Sequence, residues 1–289
     1  MTRSAVDLVS IIIPAHNAAE FLGAQLRSLC DQDYDGSFEV IVADNGSNDG
    51  TVEVASQFAS RLNLRVIDAS AEPGAGPARN AGYEVARGEL LVFADADDVA
   101  ATDWLGHLIS AAREWDFVAG PYEYVTLNSP EVKDWRRHQP ADKLPTVLGF
   151  LPYALGGNFA VWRDIFSSVG GFRTGRSNDV EFSWRMQLAG YRLGFTPDAV
   201  MCHRHRSTLR AHAKQSEQWG ISHCRLYREF RSQGIQRDNV VRATLRLGKC
   251  VAIGPKLLVD RSRRGWWIGS ISYRVGRVHG SIRYRVLFF

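Results

Sequence analysis

The sequence predicts an α/β fold with a Rossmann-like, doubly wound and mostly parallel sheet flanked by helices. Two observations in the first hundred of the 289 residues lead to this class. Short runs rich in Val and Ile are apolar on both faces, as expected for strands of a parallel sheet covered by helices. These runs alternate with helix-like segments, and that order implies right-handed crossovers between parallel strands.

The first elements can be placed from these patterns. The four predicted strands cover residues 9–14, 38–44, 64–68 and 89–95. The helix after the first strand begins at Asn17 as N-cap, with Glu20 three residues later as in a capping box. Leucines at helical spacing form its buried face: Leu22, Leu26 and Leu29. Helices at about residues 51–58 and 77–86 follow, and Asp49 is expected to help start the first of them.

The second part of the chain has a less regular pattern. An aromatic-rich stretch after residue 100 contains a Gly-Gly-Asn turn at residues 156–158. We predict helices at residues 180–189, 211–230 and 239–247, and a last strand at 199–202. The sequence contains no internal repeat and no convincing linker before about residue 232.

The composition excludes several classes of protein. Apolar residues make up 45% of the chain and charged residues 23%, which excludes a disordered or collagen-like protein. No run reaches the roughly 18 apolar residues of a membrane span. The first residues lead straight into a strand, so a cleaved signal peptide is not expected. The four cysteines are far apart, which argues against a disulfide framework or structural zinc and favours a cytoplasmic protein.

Charge is distributed unevenly along the chain. Residues 237–289 contain 12 Arg and Lys but 2 Asp and Glu, whereas residues 1–236 contain 23 and 29. A basic tail on an acidic body predicts an anionic surface as partner. The tail also carries aromatic residues among its arginines: Trp266, Trp267, Tyr273, Tyr284, Phe288 and Phe289.

This tail has three interpretations. Amphipathic aromatics and arginines suit the headgroup region of an anionic membrane, so we expect peripheral contact with the inner face of the cell membrane. The second interpretation is that the aromatics pack on the body while the arginines are solvated. Binding of single-stranded nucleic acid comes last, and no nucleic acid partner is expected.

Polar residues follow three of the predicted strands. Ligands of an open α/β sheet bind beyond the carboxyl ends of the strands. The first strand leads into residues 14–17, the second into residues 44–49, and the fourth into Asp95-Ala-Asp97-Asp98. Carboxylates two residues apart at a strand end can share one Mg²⁺ or Mn²⁺, which keeps sites open for phosphate oxygens and water. The spacing therefore predicts a divalent cation at this strand end.

Six motifs occur in order within residues 8–210. They are Ser10-Ile-Ile-Ile-Pro-Ala-His-Asn17, Val42-Ala-Asp-Asn-Gly-Ser-Asn-Asp-Gly-Thr51, Gly76-Pro-Ala-Arg-Asn-Ala-Gly82, Gly88-Glu-Leu-Leu-Val-Phe-Ala-Asp-Ala-Asp-Asp98, Gly170-Gly-Phe172 and Asn178-Asp-Val-Glu-Phe-Ser-Trp-Arg185. In this order they resemble an inverting family 2 glycosyltransferase of the GT-A fold. The resemblance implies transfer of a sugar from a nucleotide-diphosphate sugar to a hydroxyl of a glycan or lipid-linked acceptor.

The resemblance also implies roles on the donor side. Pro14, Ala15 and Asp44 correspond to contacts with the donor base, with the Asp44 carboxylate accepting from a ring N–H. Arg79 lies where the family has an arginine near the donor. Asn45 stands where the family often has a second acid, which puts the role of that second acid in doubt.

Metal binding and catalysis are assigned in the same way. Asp95 and Asp97 correspond to the metal-binding acids, with Asp97 the more direct ligand and Asp95 near the ribose. His203, after the last predicted strand, is a further candidate ligand, and the alternative is a solvated basic turn. Asp179 corresponds to the catalytic base. The acceptor or diphosphate side is assigned to Trp184 and Arg185.

Asp179 is preceded by Asn178 where the family often has an acid. We therefore expect the Asp179 carboxyl to be less perturbed by a like charge. From an ordinary pKa of ~3.9 it would be ionised near neutral pH.

Residues 1–100 are expected to form the nucleotide-sugar-binding half and residues 101–210 the acceptor-binding half of one domain. Residues 211–289 would form a basic helical extension. The resulting hypothesis is a metal-dependent hexosyltransferase of cell-surface glycan or glycolipid synthesis. Two alternatives stay open: a nucleotidyltransferase, and a catalytically inactive family member that acts as a scaffold on a membrane surface.

Overall fold

The computed structural model describes residues 3, 6–136, 138–236, 245, 248, 250, 252, 254 and 261–288. The chain forms two compact units. The first comprises Met1–Glu123, Gln139–Pro145 and Pro152–His203, and the second comprises Tyr124–His138, Thr146–Leu151 and Arg204–Phe289. The division predicted at residues 100 and 210 stays a prediction.

The first unit is built on a seven-stranded sheet. Its strands are β1 (Val9–Ala15), β2 (Phe38–Asp44), β3 (Leu64–Asp68), β4 (Leu90–Ala94), β6 (Phe117–Ala119), β8 (Asn158–Trp162) and β9 (Leu193–Phe195). Their order in space is β3-β2-β1-β4-β8-β6-β9. Strand β8 is antiparallel to both neighbours, and the other pairings are parallel. The mostly parallel, doubly wound sheet is therefore confirmed, and the four predicted strands are correct to within one residue at either end.

A second, three-stranded sheet consists of β5 (Val99–Ala100), β7 (Tyr122–Glu123) and β10 (Met201–Cys202), with β10 in the centre. Cys202 pairs with Val99 in the antiparallel register of β10 and β5. The residues just outside this pair, Asp98 and His203, are thereby brought side by side. The small sheet thus joins two segments that are 105 residues apart.

The described helices are α1 (Ala19–Cys30), α2 (Thr51–Ser56), α3 (Ala75–Val85), α4 (Trp104–Ala112), α5 (Pro130–Lys133), α6 (Arg163–Val169), α7 (Asn178–Leu188), α8 (Leu209–Phe230) and α9 (Arg261–Tyr284). The predictions at residues 51–58, 77–86, 180–189 and 211–230 match α2, α3, α7 and α8. The helix predicted at residues 239–247 lies outside the described residues, apart from residue 245.

The predicted N-cap of α1 is wrong. Ala18 holds the cap position, and no side-chain cap bond is made there. Asn17 instead accepts a hydrogen bond from the backbone N–H of Asn48 at 2.9 Å. The amides at the start of α1 donate to the segment where α2 begins: the Ala18 amide donates to Thr51 Oγ1 and the Ala19 amide donates to Asp49 Oδ2. Asp49 also accepts from the Thr51 amide, so its predicted role at the start of α2 is confirmed.

An aromatic cluster packs α6 and α7 against the sheet. Phe93 of β4 and Phe159 of β8 are cross-strand partners with ring centroids 4.8 Å apart. Phe166 of α6 and Phe182 of α7 contact this pair, and all four side chains are buried. Burial of large aromatic side chains contributes strongly to stability. The first turn of α7 is therefore held at a fixed place above the strand ends.

The second unit contains α8 and α9, whose backbones approach closely. A Cβ at Gly220 of α8 would overlap the carbonyl oxygen of Tyr273, and one at Gly276 of α9 would overlap that of Glu217. Such contacts require residues without side chains at the crossing. Among the described residues, no helix is both long and apolar enough to cross a membrane.

Candidate active site

Asp95, Arg79 and Asp179 meet at the carboxyl edge of the large sheet. Asp95 directly follows β4, Arg79 lies in α3, and Asp179 lies in the first turn of α7. Nη2 of Arg79 donates to Oδ1 of Asp95 at 2.7 Å. The Arg79 charge also acts on the Asp179 carboxyl. Three residues predicted from separate motifs therefore form one group.

The turn at Gly156 and Gly157 fits against this group. A Cβ at Gly157 would lie 2.6 Å from Oδ2 of Asp95, and one at Gly156 would lie 3.2 Å from Cβ of Asp179. The Gly156 amide donates to Oδ2 of Asp179 at 3.3 Å, and the Gly157 amide donates to the hydroxyl of Tyr122 at 3.0 Å. The predicted turn before β8 consequently forms part of the site wall, a role that the sequence pattern did not indicate.

The Asp179 carboxyl has a raised pKa. Burial is the largest cause, and it is opposed by the Arg79 charge and by hydrogen bonds from the amides of Val180 and Gly156. Asp95 adds a smaller like-charge effect that also raises the pKa. The like-charge effect comes from Asp95 and is smaller than that of burial, which is consistent with the expectation for a carboxyl preceded by Asn178 in place of an acid. A carboxylate with a raised pKa is a stronger base.

Arg79 is a buried cation with unused hydrogen-bonding capacity. Its side chain is 4% exposed, and its guanidinium carbon lies 5.4 Å from the ring centroid of Phe172. Among the described residues, no partner accepts from its Nε. A buried donor without a partner is unfavourable unless a ligand or water completes the bond. Arg79 is thus suited to an anionic ligand beside Asp95.

Asp44 likewise has a buried polar atom with no hydrogen-bond partner in the residues that the structure describes, in this case an acceptor. It ends β2 and is 9% exposed. Oδ2 accepts from the Ser47 amide at 3.2 Å, whereas no hydrogen bond to Oδ1 is formed within the described part of the chain. A buried carboxylate oxygen of this kind can accept from the N–H of a bound ligand.

Pro14, Ala15 and Asn45 surround Asp44. Pro14 and Ala15 are the register partners of Ala43 and Asp44 at the ends of β1 and β2. The Asn45 side chain accepts from the Gly74 amide at 2.7 Å and donates to the Glu72 carbonyl at 2.9 Å. Asn45, in place of a second acid, therefore fixes the loop that leads into α3 and Arg79.

A second polar group lies beside Asp95. Asp98 is fully buried, and both of its carboxylate oxygens contact Nδ1 of His203, at 2.9 and 3.0 Å. The His203 ring stacks on Tyr122 with centroids 4.3 Å apart. Burial raises the pKa of Asp98 to about 6. Burial lowers the pKa of His203, but the Asp98 carboxylate outweighs this and the net pKa is raised.

The donor set in this corner fits a divalent cation shared with a phosphate ligand. No group of three or more His, Cys, Asp or Glu side chains is arranged to hold a metal within the described ranges. Asp97 is partly exposed next to Asp95, and Mg²⁺ is commonly bound by one or two carboxylates together with substrate phosphates. A carboxylate on one nitrogen of an imidazole is also the arrangement that supports metal-ligating histidines.

Gln25 is a residue whose role in the site was not predicted. It is fully buried in α1, its Nε2 donates to the Asp95 carbonyl at 3.1 Å, and its Oε1 accepts from the Ala100 amide at 3.2 Å. Gln25 thereby bridges the two ends of the Asp95–Ala100 turn. The signal in the sequence was a polar residue, Gln25, at helical spacing among the leucines that mark the buried face of α1.

Trp184 and Arg185 lie on the body of α7, away from these contacts. Trp184 is fully buried. Arg185 donates to both oxygens of the buried Glu181, at 2.8 and 3.0 Å, and to the carbonyls of Val169 and Gly171. The acceptor role predicted for these two residues stays a prediction, and the structure gives both a packing role.

Comparison with known sequences gives one consistent assignment. The sequence profile of glycosyl transferase family 2 matches residues 10–181. Glycosyltransferase AglE of Haloferax volcanii is 32% identical over 206 residues, which covers 69% of this chain and 68% of AglE. The segment matched by the profile includes the residues from Pro14 to Asp179 that form the group described above.

Solved structures agree on the fold. Mannosyltransferase PcManGT from Pyrobaculum calidifontis, in complex with GDP-Man and Mn²⁺, has a TM-score of 0.64 at 19% identity, covering 96% of this chain and 87% of PcManGT. TarS 1–349 from S. aureus, in complex with UDP-GlcNAc, has a TM-score of 0.58 at 17% identity, covering 97% and 93%. At these identities the likeness concerns the fold alone, and it confirms the predicted GT-A fold.

Proposed function

The chain belongs to glycosyl transferase family 2, and on that premise we propose that it is a metal-dependent, inverting glycosyltransferase that uses a nucleotide-diphosphate sugar. The observation that carries the proposal is the meeting of Asp95, Arg79 and Asp179 at the carboxyl edge of the sheet. An inactive scaffold would not need to keep a carboxyl with a raised pKa beside an incompletely bonded cation.

The donor base is proposed to bind at the ends of β1 and β2. The Asp44 Oδ1 atom offers an acceptor for the ring N–H of a uracil-type or guanine base. Pro14 and Ala15 form the adjoining strand end. The solved structures of this fold are in complex with UDP-GlcNAc in one case and GDP-Man in the other, and both bases present such an N–H.

A divalent cation is proposed to be held by Asp97, with Asp95 and His203 beside it. When bound, Mn²⁺ or Mg²⁺ supplies Lewis-acid neutralisation of charge on the diphosphate. The complex of PcManGT with Mn²⁺ supports use of such a cation. Arg79, buried next to Asp95, is proposed to supply a fixed positive charge to the same phosphates, and its 2.7 Å contact with Asp95 supports this role.

Asp179 is proposed to act as the base. As the acceptor oxygen forms its bond to the anomeric carbon, the bond from that carbon to the diphosphate oxygen breaks, and the acceptor proton passes to Asp179. Attack from the face opposite the diphosphate inverts the anomeric centre. The amides of Val180 and Gly156 orient the carboxylate, and burial strengthens it as a base.

The acceptor is proposed to be a hydroxyl of a glycan or of a lipid-linked carrier in cell-surface glycan synthesis. Support comes from TarS of Staphylococcus aureus, which is named as a poly(ribitol-phosphate) β-N-acetylglucosaminyltransferase and is 35% identical over 91 residues. The match covers 31% of this chain and 16% of TarS. It supports the class of acceptor.

Thermal unfolding with UDP, GDP and dTDP, each with and without Mn²⁺, tests the proposal. A ligand at a hundred times its Kd adds about 2.7 kcal/mol to the free energy of unfolding. We expect one nucleotide to raise the Tm in the presence of Mn²⁺ and the shift to disappear in Asp97→Ala. The absence of a shift with every nucleotide would overturn the proposal in favour of a scaffold.

A further inference from the structure

One face of α9 carries an apolar stripe that is turned to solvent. Its members are spaced three and four residues apart, which places them on a single face of a helix. They are Ile268, Ile271, Val275, Val278 and Ile282. Val275, Val278 and Ile282 are 41%, 44% and 73% exposed, and the two others are partly exposed. The stripe is about 21 Å long at 1.5 Å per residue.

The opposite face of α9 is fully used in packing. Gly269, Gly276 and Gly280 lie against side-chain or backbone atoms of α8 at distances that leave no room for a Cβ. Arg277, on the same side, is 8% exposed. The helix is thus anchored by its glycine face, and the aliphatic stripe points away from α8.

Most aromatics of the tail are not on this stripe. Nε1 of Trp267 donates to the Cys250 carbonyl at 2.8 Å, and the Tyr273 hydroxyl lies 2.8 Å from Nδ1 of His223. Phe288 is 1% exposed and stacks on Tyr227 with ring centroids 4.4 Å apart. Trp266 is 43% exposed, but helical spacing places it away from the stripe. The surface offered to a partner is therefore aliphatic rather than aromatic.

The charged residues of α9 itself are of one sign, and Glu217 of α8 lies 2.9 Å from His279. Residues 261–288 contain seven arginines and no aspartate or glutamate. By helical geometry, Arg274 and Arg283 fall on opposite sides of the stripe. Arg274 is partly exposed and Arg283 is exposed. An aliphatic stripe between rows of arginine is the pattern of a helix that lies in the surface of an anionic membrane.

We propose that this face of α9 docks on an anionic lipid surface, with the aliphatic stripe at the acyl boundary and the flanking arginines at the headgroups. The proposal does not depend on the transfer reaction. A second copy of the chain would bring two wholly basic helices together, which like-charge repulsion opposes. Nucleic acid would require exposed aromatic side chains for base stacking, and the stripe consists of Ile and Val.

Co-sedimentation of the full chain with vesicles tests this proposal. The vesicles are phosphatidylcholine alone or phosphatidylcholine with phosphatidylglycerol. The test variant Val278→Asp/Ile282→Asp places two acids on the stripe. The matched control, Val52→Asp/Leu188→Asp, changes two apolar residues that are 38% and 44% exposed in the first unit. Because all four positions are exposed, each protein should fold, and thermal unfolding checks that it does.

We expect the wild type to bind the anionic vesicles and to bind neutral ones far less. The stripe variant should lose about tenfold or more of this affinity, and the control should keep it. Arg274→Gln/Arg283→Gln should reduce the preference for anionic vesicles while leaving the stripe intact.

Three results would overturn the proposal. One is equal binding of the wild type and the stripe variant to anionic vesicles. Another is the absence of vesicle binding together with self-association in sedimentation velocity that the stripe variant abolishes, which would make this face an interface between copies. The third is binding to single-stranded oligonucleotides without binding to vesicles. Nucleotide-induced shifts in Tm are a separate readout, so failure here would leave the donor site untouched.

Discussion

Two buried carboxylates at opposite edges of the seven-stranded sheet differ in how fully they are hydrogen-bonded. At the amino edge, Glu39 is fully buried, and each of its oxygens accepts hydrogen bonds. Oε1 accepts from Ser10 Oγ at 2.7 Å and from the Arg87 amide at 2.6 Å, and Oε2 accepts from Arg65 at 2.9 Å. At the carboxyl edge, Asp44 Oδ1 and Arg79 Nε have no partner within the described part of the chain.

This difference separates stability from function within one sheet. A buried charge with all its bonds made holds the fold together, whereas a buried group with bonds left over is unfavourable until a ligand completes them. The comparison assigns the amino edge to folding and the carboxyl edge to ligand binding. Substitutions at the two edges should therefore change different measured quantities.

The largest effect is expected for Asp179→Asn, which removes the proposed base. The rate of sugar transfer should fall by about a thousandfold, because an amide cannot accept the acceptor proton. Nucleotide binding, measured as the Mn²⁺-dependent shift in Tm, should be retained. The exposed Asp198→Asn serves as control and should transfer at the wild-type rate. Near-normal transfer by Asp179→Asn would place the base elsewhere.

The second prediction concerns the amino edge. Glu39→Gln replaces a carboxylate that meets Arg65 and Arg87 by a neutral amide. We expect the free energy of unfolding to fall by about 3 kcal/mol, measured by denaturant titration, with unchanged Tm shifts on nucleotide addition. Exposed Glu84→Gln in α3 is the control. A loss of nucleotide binding without loss of stability would contradict the division between the edges.

The third prediction exploits a pair of neighbouring strand ends. Asp44 and Asp68 are register partners on β2 and β3, and both accept from a backbone amide in the following loop. Asp68 is exposed, so it is the matched control. Asp44→Asn would present a donor where the base N–H is proposed to bind.

Nucleotide affinity of Asp44→Asn should fall by about tenfold to a hundredfold, with little change in the stability of the free protein. Asp68→Asn should bind nucleotide as the wild type does. Calorimetric titration measures both. Equal affinities for all three proteins would remove Asp44 from the donor site.

The carboxyl edge could be predicted from the sequence because its residues follow strands directly. The apolar runs of β1, β2 and β4 show in the sequence where each strand ends. The positions of Asp44 and Asp95 at strand ends could therefore be predicted. The contact of Asp95 with Arg79 and the proximity of Asp179 depend on long-range packing of α3 and α7. The family motifs, and not the periodicity of the sequence, predicted that these residues belong to one site.

Other features could not be predicted because local sequence does not encode them. The hydrogen bonds to the Glu39 carboxylate come from residues 26 to 48 positions away in the sequence. The bonding of Asp98 to His203 requires the small sheet formed by β5 and β10. In the tail, the composition predicted a membrane surface through aromatics, but Phe288 is buried, and Trp267 and Tyr273 form hydrogen bonds within the second unit. The glycines at the crossing of α8 and α9 determine which face of α9 is left exposed.

The smallest expected effects are pH dependences of opposite sign at the two edges. The pKa of Glu39 is lowered from 4.5, because hydrogen bonds from Arg87 and Ser10 and the charge of Arg65 together outweigh burial. Its contribution to stability is therefore present above pH 4.5 and is lost as the pH falls through its folded pKa. The pKa of Asp179 is raised from 3.8, chiefly by burial. The protein accordingly loses stability as the pH rises from 3.8 through the folded pKa of Asp179.

Denaturant titrations of the wild type, Glu39→Gln and Asp179→Asn between about pH 3 and pH 7 separate these effects. The stability deficit of Glu39→Gln should shrink as the pH falls, because the wild type then loses the charge that the variant lacks. Asp179→Asn should gain on the wild type as the pH rises, because the variant has no carboxylate to bury. Parallel curves for all three proteins would mean that neither edge holds a perturbed carboxyl. The free energy of unfolding of each variant relative to the wild type could instead change in the same direction with pH for both variants. In that case the two edges would not differ in how they bury charge.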